Sequence, residues 1–182
     1  MQLTSATSAL VVIDIQERLL PTIPDGSTVI TESCRLVDAA RLFNVPVLAT
    51  EQYPKGLGHS VPEIRRHAEK AVFFAKTHFS CLKDPALGAA LTQDRQARPM
   101  ILLCGVEAHV CVLQTALDLH AAGFTVFAAT DACGSRKTES AAHAARRMTA
   151  EGVRTVTTEM ALFEWLGQAG TPAFRKLAPL LK

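Results

Sequence analysis

The chain is poor in the features on which several large classes of protein depend. Only 5% of its 182 residues are aromatic, with one Tyr and one Trp, too few to stack a run of bases, and Lys and Arg are dispersed rather than gathered into a stripe. The net charge of +2 gives no strong electrostatic footprint, so no nucleic-acid partner is expected, and the pairs Arg65-Arg66 and Arg146-Arg147 read as solvated helix faces. No apolar stretch approaches the roughly 18 residues of a membrane-spanning helix, which excludes a membrane partner of that kind. The N-terminal Met-Gln-Leu-Thr-Ser-Ala-Thr lacks a basic region, and the apolar run behind it meets Asp14 and Glu17 too soon for a secretory signal. The five cysteines, at 34, 81, 104, 111 and 133, contain no C-x-x-C pair and no zinc-like spacing, so reduced thiols in the cytoplasm are the expectation. G-x-x-x-x-G-K-[ST], G-x-S-x-G and H-E-x-x-H are missing as well. Gly56-Leu-Gly58 has Val61 where a dinucleotide fingerprint needs its third glycine, and Asp118 and His120, two apart on a helix, face different sides. Neither a cofactor nor a metal is expected.

What is present is a regular alternation. Hydrophobic residues make up 48% and charged residues 20%, an ordinary globular balance, and a chain of this length buries roughly 70% of its unfolded surface without disulfides or metal. A single domain over 1–182 follows. Apolar runs alternate with helix-length amphipathic segments, the signature of βαβ units around a parallel sheet in an α/β fold. Six strands are read at Ala9–Asp14, Pro46–Thr50, Ala71–Lys76, Met100–Cys104, Thr125–Thr130 and Arg154–Thr157. Helices are read at Thr28–Phe43, Pro85–Gln93, Val110–Ala122, Thr138–Ala150, Met160–Leu166 and Pro172–Leu180. Asn44, Gly123 and Gly152 suit the left-handed position that closes a helix. The longest irregular stretch, Glu51–Pro62, leaves the second strand at its carboxyl end, and is read either as a functional loop or as a solvated Ω-loop.

Three chemically potent residues follow three of these runs: Asp14, Lys76 and Cys111. The carboxyl ends of neighbouring parallel strands form the rim at which open α/β sheets bind ligands, so the three converge if the strands are neighbours. A free thiol is only a few per cent thiolate at neutral pH. Lys76 and the amino end of the helix after Gly105 are expected to lower the pKa of Cys111, with Asp14 pairing to the lysine and shuttling the proton. Taken singly, each residue has a plainer account: a packed cysteine, a turn-forming aspartate, a solvated lysine. Their joint placement favours chemistry. Cys34 and Cys104 read as core, and Cys81 and Cys133 as loop residues of the same rim.

The segments Val11-Val-Ile-Asp-Ile-Gln16, Lys76-Thr-His-Phe-Ser-Cys81, Leu102-Leu-Cys-Gly-Val-Glu-Ala-His-Val-Cys-Val112 and Thr130-Asp-Ala-Cys-Gly-Ser-Arg136 together resemble the isochorismatase-like cysteine hydrolases. Glu51-Gln-Tyr-Pro-Lys-Gly-Leu-Gly58 and Glu107-Ala-His109 bring the likeness nearest to the isochorismatase domain-containing hydrolases of unassigned substrate. The resemblance implies a three-layer αβα sandwich with strand order 3-2-1-4-5-6 and Asp14, Lys76 and Cys111 as catalytic triad. It also implies a cis peptide at Val106–Glu107 and an oxyanion hole from the amides of Glu107 and Cys111. Gln16, Tyr53, Phe79 and His109 are its candidate substrate-pocket residues, and a homo-oligomer (dimer, tetramer or larger) its expected assembly. The metal-binding Asp and His that nicotinamidases place after the second strand are replaced by Glu51-Gln-Tyr-Pro, with His59 alone further on. The expected activity is cofactor-free hydrolysis of a small amide-like C–N bond through a thioester. The alternatives are ester or vinyl-ether hydrolysis on the same scaffold, or a non-enzymatic oligomer that senses oxidants or binds partners.

Overall fold

Strands that are apolar throughout must be covered on both faces, and a computed structural model, described over residues 1–181, shows how the chain covers them. Six strands, β1 (Ser8–Ile13), β2 (Val47–Gln52), β3 (Val72–Lys76), β4 (Met100–Val106), β5 (Thr125–Gly134) and β6 (Arg154–Val156), form one parallel sheet in the order β3-β2-β1-β4-β5-β6. Parallel neighbours need crossover connections. These carry α1 (Gly26–Leu42), α2 (Pro54–Leu57), α3 (Pro62–His67), α4 (Pro85–Gln93), α5 (Leu113–Ala121) and α6 (Thr138–Ala150), and α7 (Thr158–Leu166) and α8 (Pro172–Leu177) follow the last strand.

The period-two alternation of the strands divides the core in two. Leu10 and Val12 of β1, Leu102 and Cys104 of β4, and Phe127 and Ala129 of β5 enter one layer with Leu36 of α1, Ile64 of α3, and Leu162 and Trp165 of α7. Their chain neighbours Val11 and Ile13, Ile101 and Leu103, and Val126 and Ala128 enter the other with Leu87 of α4, Leu119 of α5 and Met148 of α6. Each fully buried Leu, Ile or Val contributes about 1.5–3 kcal/mol, so both layers stabilise the same central strands. The result is the expected three-layer αβα sandwich.

Helix ends follow the turn chemistry. Asn44, Gly123 and Gly152 adopt φ of 56°, 84° and 89° just beyond α1, α5 and α6, where a left-handed residue lets the chain leave the helix. Asp84 caps α4 by accepting the Leu87 amide at 3.2 Å.

Two segments differ from the sequence expectation. The stretch 51–62 is ordered rather than irregular: β2 continues to Gln52, and Pro54 and Pro62 each open a short helix, at the position where the fixed φ of proline is favourable. It is laced to the end of β1 by the Gln16–Ser60 bridge and by the Glu17 and Val61 amides, which donate to the carbonyls of His59 and Ile15, each at 2.9 Å. β5 runs on to Gly134, past a shift in its register against β4 between Leu103 and Gly105.

Candidate active site

The strand order reverses between β1 and β4, the crevice where α/β sheets bind ligands. Ile13 lies beside Gly105 there. Gly105 has φ of 120°, and a Cβ on it would collide with the Ile13 backbone, so only glycine permits this approach. The next residue, Asp14, turns out of β1 at φ of 53°, a left-handed conformation that aspartate tolerates better than most residues.

Asp14 is fully buried. Its Oδ1 accepts from the Thr50 hydroxyl at 2.6 Å and its Oδ2 from Lys76 Nζ at 2.8 Å. The Lys76 side chain, buried at the end of β3, also donates to Gln52 Oε1 at 2.6 Å and to the carbonyls of His78 and Phe79 at 3.3 Å. An ammonium has three N–H donors, and all three are committed to these acceptors. Burial works against the charged form, but the Asp14 carboxylate outweighs it. Lys76 is held above the ordinary lysine value of 10.5 and remains a cation.

Cys111 lies in a wide π-type turn, Ala108–Val112, that leads into α5, so the helical segment begins ahead of the cysteine rather than at it. Cys111 is buried, 6% exposed, and near enough to Asp14 and Lys76 for both charges to act on its thiol. Its pKa is not lowered as the sequence suggested. Burial, and then the Asp14 carboxylate, push it well above the ordinary 9.0, with Lys76 opposing them. The physical reason is the commitment of the lysine donors: Lys76 stabilises the carboxylate at hydrogen-bonding distance and reaches the sulfur only through space. The resting group is therefore a neutral thiol near a carboxylate.

The other thiols sort by burial. Cys34 and Cys104 are core residues, with pKa values pushed up to about 11 and about 12, chiefly by burial. Cys81 is fully buried rather than on the rim; its amide donates to Thr115 Oγ1 at 3.0 Å, and burial raises its thiol to about 11. Cys133 is half-buried at the end of β5.

The Val106–Glu107 peptide is cis. The Glu107 carboxylate is buried and its Oε2 accepts from the Arg136 amide at 2.9 Å and from Arg136 Nε at 3.0 Å. The Glu107 carbonyl accepts from the amides of Val110 and Val112, which folds the chain back so that the Cys111 turn stands over the end of β4. His109 Nδ1 lies 3.0 Å from Ser135 Oγ. Tyr53, at φ of 39°, and Phe79 are exposed large hydrophobics beside the lysine, and Tyr53 lines a cavity of about 340 Å³ with Lys55, Lys76 and Asp84. Gln16 is placed otherwise than as open pocket lining. It is fully buried, its amide nitrogen donating to the carbonyls of Gln52 and Gly58 and its oxygen accepting the Gln52 amide.

Sequence reasoning missed Thr50 and Gln52. The signal was the strand period: residues 50 and 52 share one face of β2, and its parallel register sets Gln52 beside Lys76. Glu51, between them, points the other way and accepts from Ser60 N (2.8 Å), Ser60 Oγ (3.0 Å), Arg65 Nη2 (2.6 Å) and His59 Nδ1 (2.9 Å). Among the described residues, no group of three or more His, Cys, Asp or Glu is arranged to hold a metal ion, and no helix is long and apolar enough to cross a membrane.

Comparison with known proteins matches this architecture. The isochorismatase domain matches residues 8–160, which takes in all of the site. Isochorismatase domain-containing protein 2A of Mus musculus is 36% identical over 176 residues, 97% of this chain and 83% of that protein. Isochorismatase domain-containing protein 1 of Danio rerio is 38% identical over 180 residues, 99% of this chain; the chain spans 62% of the length of that relative. A solved structure described as the MAR1 ribonuclease of Caenorhabditis elegans superposes with a TM-score of 0.92 at 37% identity, covering 100% of this chain and 92% of the other. With sheet order, domain match and near full-length relatives in agreement, the chain belongs to the isochorismatase family.

Proposed function

We propose that the protein is a cofactor-free cysteine hydrolase that cleaves a small amide-like C–N bond, with Cys111 as nucleophile. Membership of the isochorismatase family supports a hydrolase. The observation that carries the finer reading is the position of Asp14, buried between a permanent ammonium and a thiol, with Thr50 and Lys76 filling only two of its roughly four acceptor positions.

In this scheme Cys111 gives its proton to Asp14 as the sulfur bonds to the substrate carbonyl carbon, and the amides of Glu107 and Cys111 donate to the oxygen that gains the charge. Asp14 returns the proton to the leaving nitrogen, the C–N bond breaks, and a thioester remains. Water, losing a proton to Asp14, attacks the thioester; the acid product leaves and the thiol is restored. Lys76 keeps its proton throughout and fixes the carboxylate. His109, Tyr53 and Phe79 are the proposed pocket residues.

The raised pKa and 6% exposure of Cys111 weigh against a free-standing oxidant sensor, which needs an accessible low-pKa thiol. The ribonuclease description of one relative brings RNA into consideration. Among the described residues the buried cation beside the carboxylate, Lys76, has all its donors occupied, which leaves none for a phosphodiester, and this favours a small neutral substrate. We further propose that residues 1–182 act as one hydrolase domain in a reducing compartment, the cytoplasm, consistent with five free cysteines. We also propose that the chain forms homo-oligomers through the outer edge of β3, where Val72 is 59% exposed beside the half-buried Phe73 and Phe74.

The test is a screen of small amides, ureas, imides, esters, vinyl ethers and RNA with wild-type protein and Cys111→Ala. Ammonia release from a C–N substrate, a trapped acyl adduct on Cys111, and loss of turnover by at least about 10⁴-fold in Cys111→Ala are expected. Hydrolysis undiminished in that variant, or Cys111-dependent cleavage of RNA alone, rejects the reading.

A further inference from the structure

Lys76 is held by more than its carboxylate. Its Nζ is 2.6 Å from Gln52 Oε1 and 2.8 Å from Asp14 Oδ2, so the neutral amide takes as close a contact as the charged partner. Gln52 is itself immobilised from every side. Its Nε2 donates to the Thr77 carbonyl at 2.8 Å, its backbone amide donates to Gln16 Oε1 at 2.8 Å, and its carbonyl accepts from Gln16 Nε2 at 3.0 Å. The buried Gln16 is in turn anchored on Gly58 at 2.7 Å. A chain of two buried amides thus runs from the segment after β2 to the lysine of the triad and fixes one acceptor on its nitrogen.

Without that oxygen the buried ammonium keeps Asp14 at 2.8 Å and only the longer contacts to the carbonyls of His78 and Phe79, at 3.3 Å, so it holds its proton less firmly or draws closer to another acceptor. Both outcomes disturb the triad: a neutral amine no longer balances Asp14, and a displaced N–H competes for the carboxylate lone pair that receives the Cys111 proton. A carboxamide, unlike a carboxylate, fills the donor without adding charge, so Asp14 stays the lone anion at the cation. Resting on the hydrolase reading above, we infer that Gln52 is a positioning residue whose side-chain oxygen keeps Lys76 a cation directed at Asp14, and that it thereby sets the upper end of the pH range in which Cys111 is reactive. The titratable groups facing Lys76 are Asp14 from the end of β1, Cys111 from the turn before α5, and Cys81 from the segment after β3, with Lys55 and Asp84 across the outer cavity. Of these Asp14 is the one hydrogen-bonded to the nitrogen.

The experiment needs no substrate. Alkylation of Cys111 by iodoacetamide is followed by peptide mass spectrometry from pH 6 to 10 in wild type, Gln52→Met and Gln52→Glu. Methionine keeps the length of the side chain and removes the acceptor; glutamate keeps the acceptor. Near pH 7 Lys76 is charged in all three, and the rate in Gln52→Met is expected to lie within about threefold of wild type. As pH rises the methionine variant loses its ammonium first, so the thiolate loses its nearby cation, and its deficit grows to about tenfold or more by pH 10. Gln52→Glu is expected to follow the wild-type slope at a reduced rate. A ratio of Gln52→Met to wild type that is constant across pH marks a merely structural effect and overturns the inference, as does a glutamate profile that falls away with methionine. Should Gln52→Met not fold, Gln52→Asn, whose shorter side chain withdraws the acceptor from the nitrogen, is read in its place against the same two outcomes. A wild-type Cys111 inert to the reagent at every pH instead overturns the nucleophile reading beneath it.

Discussion

Two buried carboxylates, Asp14 just past β1 and Glu51 near the end of β2, are used in opposite ways. Glu51 meets four donors, two from Ser60 and one from Arg65 on Oε1 and His59 on Oε2, and the Arg65 and His59 side chains are 44% and 66% exposed. Burial disfavours its charge, but those donors outweigh the penalty and hold its pKa below the ordinary 4.5. Among the described residues Asp14 has the donors Thr50 and Lys76, both buried, and the Cys111 thiol stands near enough to feel its charge. A carboxylate that gathers four donors from one segment is a clamp, here holding the 59–65 segment against the rim. One with a free position beside a titratable partner is equipped to move a proton.

The sharpest way to break this contrast is Asp14→Asn. Turnover on a substrate found by the hydrolase screen is expected to fall by about 10³–10⁴-fold, and urea titration should show a loss of about 3–5 kcal/mol, because a buried ammonium loses its counter-ion. Activity retained in that variant would make Asp14 a clamp too. Thr50→Val removes one donor from Asp14 and is expected to lower kcat/KM by about tenfold, near 1.4 kcal/mol, with the pH profile measured alongside. Glu51→Gln should leave turnover within about threefold of wild type and cost about 1–3 kcal/mol of stability. The sign of its pH dependence follows from the direction of the shift. A carboxylate whose folded pKa lies below its unfolded value stabilises above about pH 4.5 and loses that contribution as pH falls through the folded value. The wild-type advantage over Glu51→Gln in urea should therefore be full at pH 7 and shrink below pH 4.5. At the other end, the raised thiols of Cys34, Cys81 and Cys104 favour folding below about pH 9 and cease to do so as pH rises toward 11 and 12. Wild-type stability should fall accordingly as pH rises from about 9 toward 11.

Much of the fold was legible because burial on both faces writes itself as continuous apolar residues: β1, β4 and the helices at Pro85–Gln93 and Thr138–Ala150 lie where the pattern put them. The stretch after β2 was not: it reads as irregular because its helices are only four and six residues long, too short to show a period, although each opens on a proline. At the site, Asp14, Lys76 and Cys111 were found by type and placement. Thr50 and Gln52 were hidden because a polar residue at a strand end looks the same whether it meets water or a neighbouring strand's side chain, and only the register separates the two cases. The protonation state of Cys111 was misjudged for a related reason. The presence of a lysine can be read from a sequence, but the carbonyls of His78 and Phe79 that consume its donors cannot.

The pairing of Asp14 with Lys76 leaves the crevice without net charge before catalysis begins, since one negative and one positive group cancel within 2.8 Å and the thiol is neutral. Such a site exerts little long-range pull, and ligands reach it by unsteered diffusion. Capture of the substrate should accordingly be indifferent to ionic strength, with kcat/KM flat between low and physiological salt, and selection among ligands falls to shape and hydrogen bonding after arrival.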